Sequence, residues 1–168
     1  MDAMKKITDS LKNSNGLIGD IRITEEANKD GHRLFFVMIS KFERKVDSNY
    51  SNAATYYAFD NNGNYVGAVI VVVMDRNTVE LEYFSEPHFK NKGNITVVTK
   101  EVIKDIFENK VFNLLKINDY EKKTNIKNIV LSINKNNYAS LAVASKLGFD
   151  EYGCLDEKDY VKVYRKRR

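Results

Sequence analysis

Two stretches of this 168-residue chain hold residue types whose spacing suits chemistry. The first is TVELEYF, residues 78–84, which places Glu80 and Glu82 two positions apart. On a strand that spacing sends both carboxylates to one face. Side by side on an apolar strand they repel, and one pKa rises. A carboxylate in that state can take a proton near neutral pH. The bland alternative is that both face solvent or pair with lysines across a sheet. Glu86 extends the same face near the strand end and suits attraction of a cation.

The second stretch is PHFKNKGNIT, residues 87–96, with the only proline of the chain. No acid lies between Pro87 and Glu101, and helical spacing begins at Ile95. A helix N-terminus exposes unpaired N–H groups and the positive end of its dipole. Lys90 and Lys92 add charge, and Gly93 lets backbone approach a ligand without a Cβ in the way. Asn94 can cap the helix or adopt an unusual backbone angle. Together these make an anion site, best suited to phosphate. The alternative is a surface turn with solvated lysines. Neither the Walker P-loop nor the dinucleotide GxGxxG pattern is present. Pro87 cannot donate a ladder bond and marks where pairing stops. A strand that splays there leaves backbone groups free for an extended ligand, with phosphates at the helix and a flexible arm along the strand.

These stretches need a scaffold. The length suits one domain over residues 1–168 with one sizeable core. No apolar run reaches the roughly 18 residues of a membrane span, and the N-terminus lacks the apolar core of a signal peptide. One cysteine, Cys154, excludes an internal disulfide and suits a reducing cytoplasm. With only His32 and His88 beside it, no metal-ligand cluster forms, and no metal is expected. The net charge of +4 mildly favours an anionic partner. Part of it is RKRR, residues 165–168, expected to be a solvated basic tail. Nucleic-acid contact through it is the less favoured reading.

Residues 1–16 are polar with a weak helical pattern and are expected at the periphery. Residues 17–24 and 34–42 read as strands joined by a turn at NKDG, residues 28–31. Residues 45–53 read as a loop. Residues 55–60 and 65–74 flank NNGN, a strong hairpin signal, and residues 78–84 form the next strand. The period becomes helical from Ile95 to about residue 109. Residues 112–124 are mixed, and residues 126–133 alternate like a strand. Residues 138–147 read as a helix closed by Gly148, with short strands at residues 149–154 and 160–164. The fold class is therefore α/β: one mixed, mostly antiparallel sheet flanked by helices, with parallel pairing around the helix that opens near Ile95. Phe35, Phe36, Tyr56 and Tyr57 read as core or hairpin packing.

LEYFSEPHFKNKGNIT, followed by INKNNYASLAVASKLGF, resembles the GNAT superfamily of acetyl-CoA-dependent N-acetyltransferases. The family turn has a basic residue or glutamine, two residues, glycine, one residue, then glycine or alanine. Lys90 and Gly93 match, and Ile95 stands where glycine or alanine is usual. Thr96 matches a threonine common in the subgroup that acetylates ribosomal-protein amino termini. Asn137, Ser140, Lys146, Gly148 and Phe149 match the second family motif at its spacing. The resemblance covers about residues 65–149. The family usually places two helices after its first strand, where a second strand is read here.

The resemblance implies an amine N-acetyltransferase that works by direct attack on acetyl-CoA. Backbone N–H groups of Lys90, Asn91, Lys92, Gly93, Asn94, Ile95 and Thr96 would hold the coenzyme A pyrophosphate. The edge at Phe84, Ser85 and Glu86 would pair with the pantetheine arm, and Asn137 and Ser140 would lie near the arm and thioester. Glu80 is the first candidate for the base, since related enzymes often carry glutamate there, and Glu82 is the second. Some members use a tyrosine seven residues after the motif asparagine as the acid. Ala144 occupies that place, which leaves Ser140 as the motif hydroxyl, or else as a helix-terminal hydroxyl bonding backbone. Tyr138 and Cys154 read as structural, and His88 as a surface residue. The partner is a small-molecule or peptide amine, and family members often form homodimers. The alternative function is a coenzyme-A-binding regulatory domain without transfer.

Overall fold

The computed structural model describes residues 2–44, 50–75, 77–108, 110–111, 126–156 and 161–167, with backbone alone at 41–44, 50–52, 154–156 and 161–165. The order is α1 (Ala3–Leu11), β1 (Leu17–Ile18), β2 (Arg22–Ala27), β3 (Arg33–Arg44), β4 (Tyr50–Phe59), β5 (Tyr65–Val73), β6 (Thr78–Ser85), a 3₁₀ turn (Pro87–Phe89), α2 (Asn94–Phe107), β7 (Asn128–Asn134), α3 (Tyr138–Lys146), β8 (Asp150–Asp156) and β9 (Val161–Arg167). The strands form one nine-stranded sheet in the order β1-β3-β4-β5-β6-β7-β9-β8, with β2 also paired to β3. All pairings are antiparallel except β6 with β7, which is parallel. The mixed, mostly antiparallel expectation holds, and the parallel pair brackets α2.

Alternation decides which face each strand buries. Leu34, Phe36, Tyr56, Val69, Val71, Val79 and Leu81 turn toward α2, whose Val98, Val102 and Ile106 complete the main core. On the other face, Val37, Ile39 and Phe59 meet Ile7 and Leu11 of α1. The N-terminal helix is therefore a packed element, because two apolar residues four apart suffice to seal a small satellite core. Phe35 and Tyr57 pack against that core, and Phe36 and Tyr56 lie within the main one. The strand expected over residues 17–24 is interrupted at Gly19 and Asp20 and gives β1 and β2. No helix intervenes between β2 and β3, as read from the sequence.

Two further expectations need revision. Residues 50–53, read as loop, begin β4 and pair with β3. Residues 165–167 are not a tail: they end β9, where Arg165, Lys166 and Arg167 pair with Val130, Ile129 and Asn128 of β7. A charged strand pairs as well as an apolar one when its charges sit outside the core, because the ladder is made of backbone bonds. The Lys166 ammonium also donates to the Leu147 carbonyl at 2.8 Å, beside the C-terminal end of α3, where a cation is favoured. Residues 45–49, 112–124 and 168 lie outside the described residues.

A buried polar cluster ties α2 to the sheet. Asp105 of α2 is only 4 % exposed. Its carboxylate accepts two bonds from the Arg22 guanidinium, one at 3.0 Å, and one from the Tyr56 hydroxyl at 2.9 Å. Burial and the adjacent carboxylate push the Tyr56 hydroxyl far above its ordinary pKa, so it stays a donor. Arg22 also lies over the Phe36 ring at 4.6 Å. Asp105→Ala leaves both donors without their acceptor. The Arg22 side chain is 39 % exposed and can regain water, so the expected loss is about 2–3 kcal/mol, below the full range for a broken buried pair. A urea midpoint within error of wild type would show that the cluster carries no such weight.

Candidate active site

β6 keeps its pairing to β5 as far as Ser85, opposite Gly67. Its pairing to β7 covers only Thr78–Glu80 against Asn128–Val130. Beyond Glu80 the two parallel strands separate. A split opens there, with Glu80 at its apex. α2 follows β6 and α3 follows β7, so both helices begin at the carboxyl ends of the separating strands. That is where open α/β sheets bind ligands. The Tyr83 hydroxyl reaches across the split and donates to the Ser140 carbonyl at 2.6 Å.

The turn before α2 has the geometry its composition suggested. Asn91 sits at φ +66 and Gly93 at φ +76, both left-handed, a region open mainly to glycine and asparagine. Gly93 is the N-cap of α2, and no side chain caps this helix. By contrast, Asp2 caps α1 and Asn137 caps α3. The first-turn N–H groups of α2 thus have no side-chain cap among the described residues and are donors suited to another acceptor. Asn94 is buried, and its side chain bonds Asn28 at 2.9 Å. Ile95 is 5 % exposed and its Cδ1 lies over Gly67, where an added Cβ would meet it at 2.7 Å. The isoleucine at this position therefore points into the core and not outward from the turn. Thr96 is half-buried in the first helical turn. Lys90 and Lys92 are exposed, and the Lys92 ammonium lies 3.4 Å from the Asp30 carboxylate.

Glu80, Glu82 and Phe84 alternate with Val79, Leu81 and Tyr83, so they occupy the sheet face opposite α2. They stand beside Val72, Ile70 and Ala68 of β5. Glu80 is half-buried and Glu82 exposed. Burial holds the Glu80 carboxyl above the ordinary carboxylate range, the neighbouring Glu82 charge adds to this, and a bond from the Ser132 hydroxyl opposes it. The raised pKa expected of one of the pair thus falls on Glu80. Phe84 is 47 % exposed.

Ser85 ends the strand, and Glu86 follows it. The Glu86 N–H is taken by the Val66 carbonyl at 2.9 Å. Antiparallel ladders alternate their bonding direction, so Tyr83 and Ser85 present backbone to the split. The Glu86 carboxylate caps the 3₁₀ turn, bonding the His88 N–H and Nδ1, each at 2.8 Å. That bond holds the Glu86 carboxyl below its ordinary pKa. His88 is at the surface, as read from the sequence.

On α3, the Asn137 side-chain oxygen accepts the Ser140 N–H at 3.2 Å. Ser140 is half-buried beside the Tyr83 contact, and Tyr138 is 74 % exposed, too open for the packing role expected of it. Ala144 is fully buried in the main core. The Cys154 side chain lies outside the described ones. Among the described residues no three His, Cys, Asp or Glu side chains gather as metal ligands. No helix among them is long and apolar enough to cross a membrane.

Sequence reasoning missed three parts of this site: Ser132, Tyr83 and the β2–β3 hairpin that touches the turn. Ser132 is a polar residue in an apolar strand, which is a signal. The other two depend on long-range placement.

The profile of the acetyltransferase (GNAT) domain family matches residues 22–150. The chain belongs to the GNAT acetyltransferase family. Solved structures share the fold. The N-acetyltransferase PseH of Campylobacter jejuni, in complex with acetyl coenzyme A, is 18 % identical over 69 % of this chain and 68 % of its own, with a TM-score of 0.51. RimL, a ribosomal-protein α-N-acetyltransferase in complex with coenzyme A, is 18 % identical over 68 % of this chain and 62 % of its own, with a TM-score of 0.54. The spermidine N-acetyltransferase of Vibrio cholerae, in complex with CoA and spermine, is 19 % identical over 67 % and 63 %, with a TM-score of 0.51. No curated protein is matched by sequence.

Proposed function

We propose that the chain is an N-acetyltransferase that moves acetyl from acetyl-CoA to a primary amine by direct attack. The carrying observation is the split between β6 and β7, with Glu80 at its apex and an uncapped helix N-terminus at its mouth. Backbone N–H groups of Lys90–Thr96 are suited to the pyrophosphate. The edge at Tyr83 and Ser85, beyond the β7 ladder, is suited to the pantetheine arm, and Asn137 and Ser140 stand at the start of α3, where Ser140 meets Tyr83. In the reaction the amine nitrogen attacks the thioester carbonyl carbon, the C–S bond breaks, and the coenzyme A thiolate leaves. Glu80 takes the proton that the amine loses. Ser140, whose carbonyl meets Tyr83 across the split, carries the motif hydroxyl and is suited to the oxygen or sulfur where charge builds. Glu82, exposed on the same face, favours a cationic acceptor.

Calorimetric titration with acetyl-CoA at low and moderate salt tests the reading. Saturable binding is expected, weakened roughly tenfold in Lys90→Ala/Lys92→Ala, with a steeper loss at low salt. Lys90 should account for more of the loss, because Asp30 already neutralises part of the Lys92 charge. No saturable binding at either salt would end the proposal. Binding without thiol release across a broad amine panel would favour a coenzyme-A-binding domain without transfer, the reading that Ala144 supports.

A further inference from the structure

The turn before α2 is not held by its own segment alone. The β2–β3 hairpin, from near the other end of the domain, reaches it at three places. The Lys29 N–H donates to the Lys92 carbonyl at 2.8 Å. The Asn28 Nδ2 donates to the buried Asn94 Oδ1 at 2.9 Å. The Asp30 carboxylate pairs with the Lys92 ammonium at 3.4 Å. The Lys29 stem also lies along Gly93, its Cγ 3.4 Å from where a Cβ would stand. Lys92, Gly93 and Asn94 are thereby fixed from outside. These residues set the direction of the first N–H groups of α2.

We infer that the hairpin tip, residues 28–30, is a working part of the co-substrate site, with Asn28 as a positioning residue for the phosphate-binding turn. This rests on the acetyl-CoA reading above. The two ends of the Asn28 amide do different jobs. The Asn28 Oδ1 builds the hairpin itself, accepting the N–H groups of Asp30 and His32 at 3.0 Å each. The Asn28 Nδ2 alone reaches Asn94. Nothing in the hairpin requires that second bond. Its partner is a buried amide oxygen, which is costly to leave unpaired. Gly93, which carries no Cβ, gives the turn backbone freedom, so a clamp on the residue that follows has something to restrain. A donor aimed at a phosphate loses affinity if the turn can drift.

Asn28→Asp separates the two jobs. It keeps the oxygen that folds the hairpin and replaces the donor facing Asn94 with an acceptor. Acetyl-CoA affinity, by calorimetry, should fall roughly five- to tenfold, with KM for acetyl-CoA rising and kcat nearly unchanged. The new negative charge could weaken an anion by itself, but that effect fades with salt. The ratio of wild-type to variant affinity should therefore persist at about 0.5 M salt, where the Debye length is only a few ångströms. Wild type that fails to bind acetyl-CoA refutes the underlying reading. Wild type that binds while the variant matches it, or matches it once salt is raised, refutes the role of Asn28 alone. A readout without a variant guards against misfolding. On adding acetyl-CoA to the wild-type chain, amide exchange at Lys29 should slow together with that of the turn. Protection of the turn with Lys29 unmoved overturns the inference.

Discussion

In Glu80→Gln, acetyl transfer should slow by roughly a hundredfold at saturating substrates, while acetyl-CoA affinity stays within about twofold. Glutamine keeps the shape and the hydrogen bonding of the side chain but cannot accept the proton that an attacking amine must lose. Three observations support the base role proposed for Glu80: it is the last residue of β6 paired to β7, its side chain leaves the face opposite α2, and its carboxyl is held above the ordinary range. The acid limb of the kcat profile should lie above the usual carboxylate range in wild type and vanish in the variant. Glu82→Gln should instead move that limb down, because it removes the charge that helps raise Glu80. A Glu80→Gln chain retaining a third or more of the wild-type rate would assign the base elsewhere.

The same shift makes a prediction that needs no substrate. The folded chain holds the Glu80 proton to higher pH than the unfolded chain does. Stability therefore falls as pH rises from the ordinary carboxylate range through the raised value, because the folded state binds more protons in that window. Glutamine removes this cost. The melting temperature of Glu80→Gln should exceed wild type by about one to three degrees at pH 7 and match it near pH 3. The gain is small because Glu80 is only half-buried and partly solvated.

What the sequence made legible was local. Alternation in TVELEYF put Glu80 and Glu82 on one face, and the structure keeps them there. The helical period from Ile95 and the basic turn before it gave α2 and its open end. The apex of the split was not legible, because it depends on where β7 registers against β6, and no local pattern sets that. Ser132 and the hairpin clamp were hidden for the same reason. Charge misled at residues 165–167, where a run of cations signalled solvent while backbone pairing with β7 decided the outcome. Ile95 shows the reverse: it stands where the motif has glycine or alanine, and only the glycine beneath it explains its fit.

Gly67→Ala should lower stability by about 2–3 kcal/mol, an unusually large effect for one added methyl. In a chain of this size that is about 4–12 degrees of melting temperature. The Cβ would stand 2.6 Å from the Phe84 carbonyl oxygen and 2.7 Å from Ile95 Cδ1. The first neighbour is backbone of the strand that forms one wall of the split, and the second is the buried side chain just inside the turn. Full relief requires β6 to shift against β5 and the Ile95 side chain to swing aside. These motions disturb the edge proposed for the pantetheine arm and the turn proposed for phosphate, so acetyl-CoA affinity should fall with stability, even at temperatures where the variant remains folded. Adding Ile95→Ala separates the two collisions. It removes the Cδ1 contact and leaves the carbonyl contact in place. If the carbonyl governs, Gly67→Ala stays costly in the Ile95→Ala background and acetyl-CoA binding is not restored. If the isoleucine governs, the cost in that background drops below about 1 kcal/mol, and the small residue that the family keeps at the turn has in this chain moved to position 67 on the facing strand.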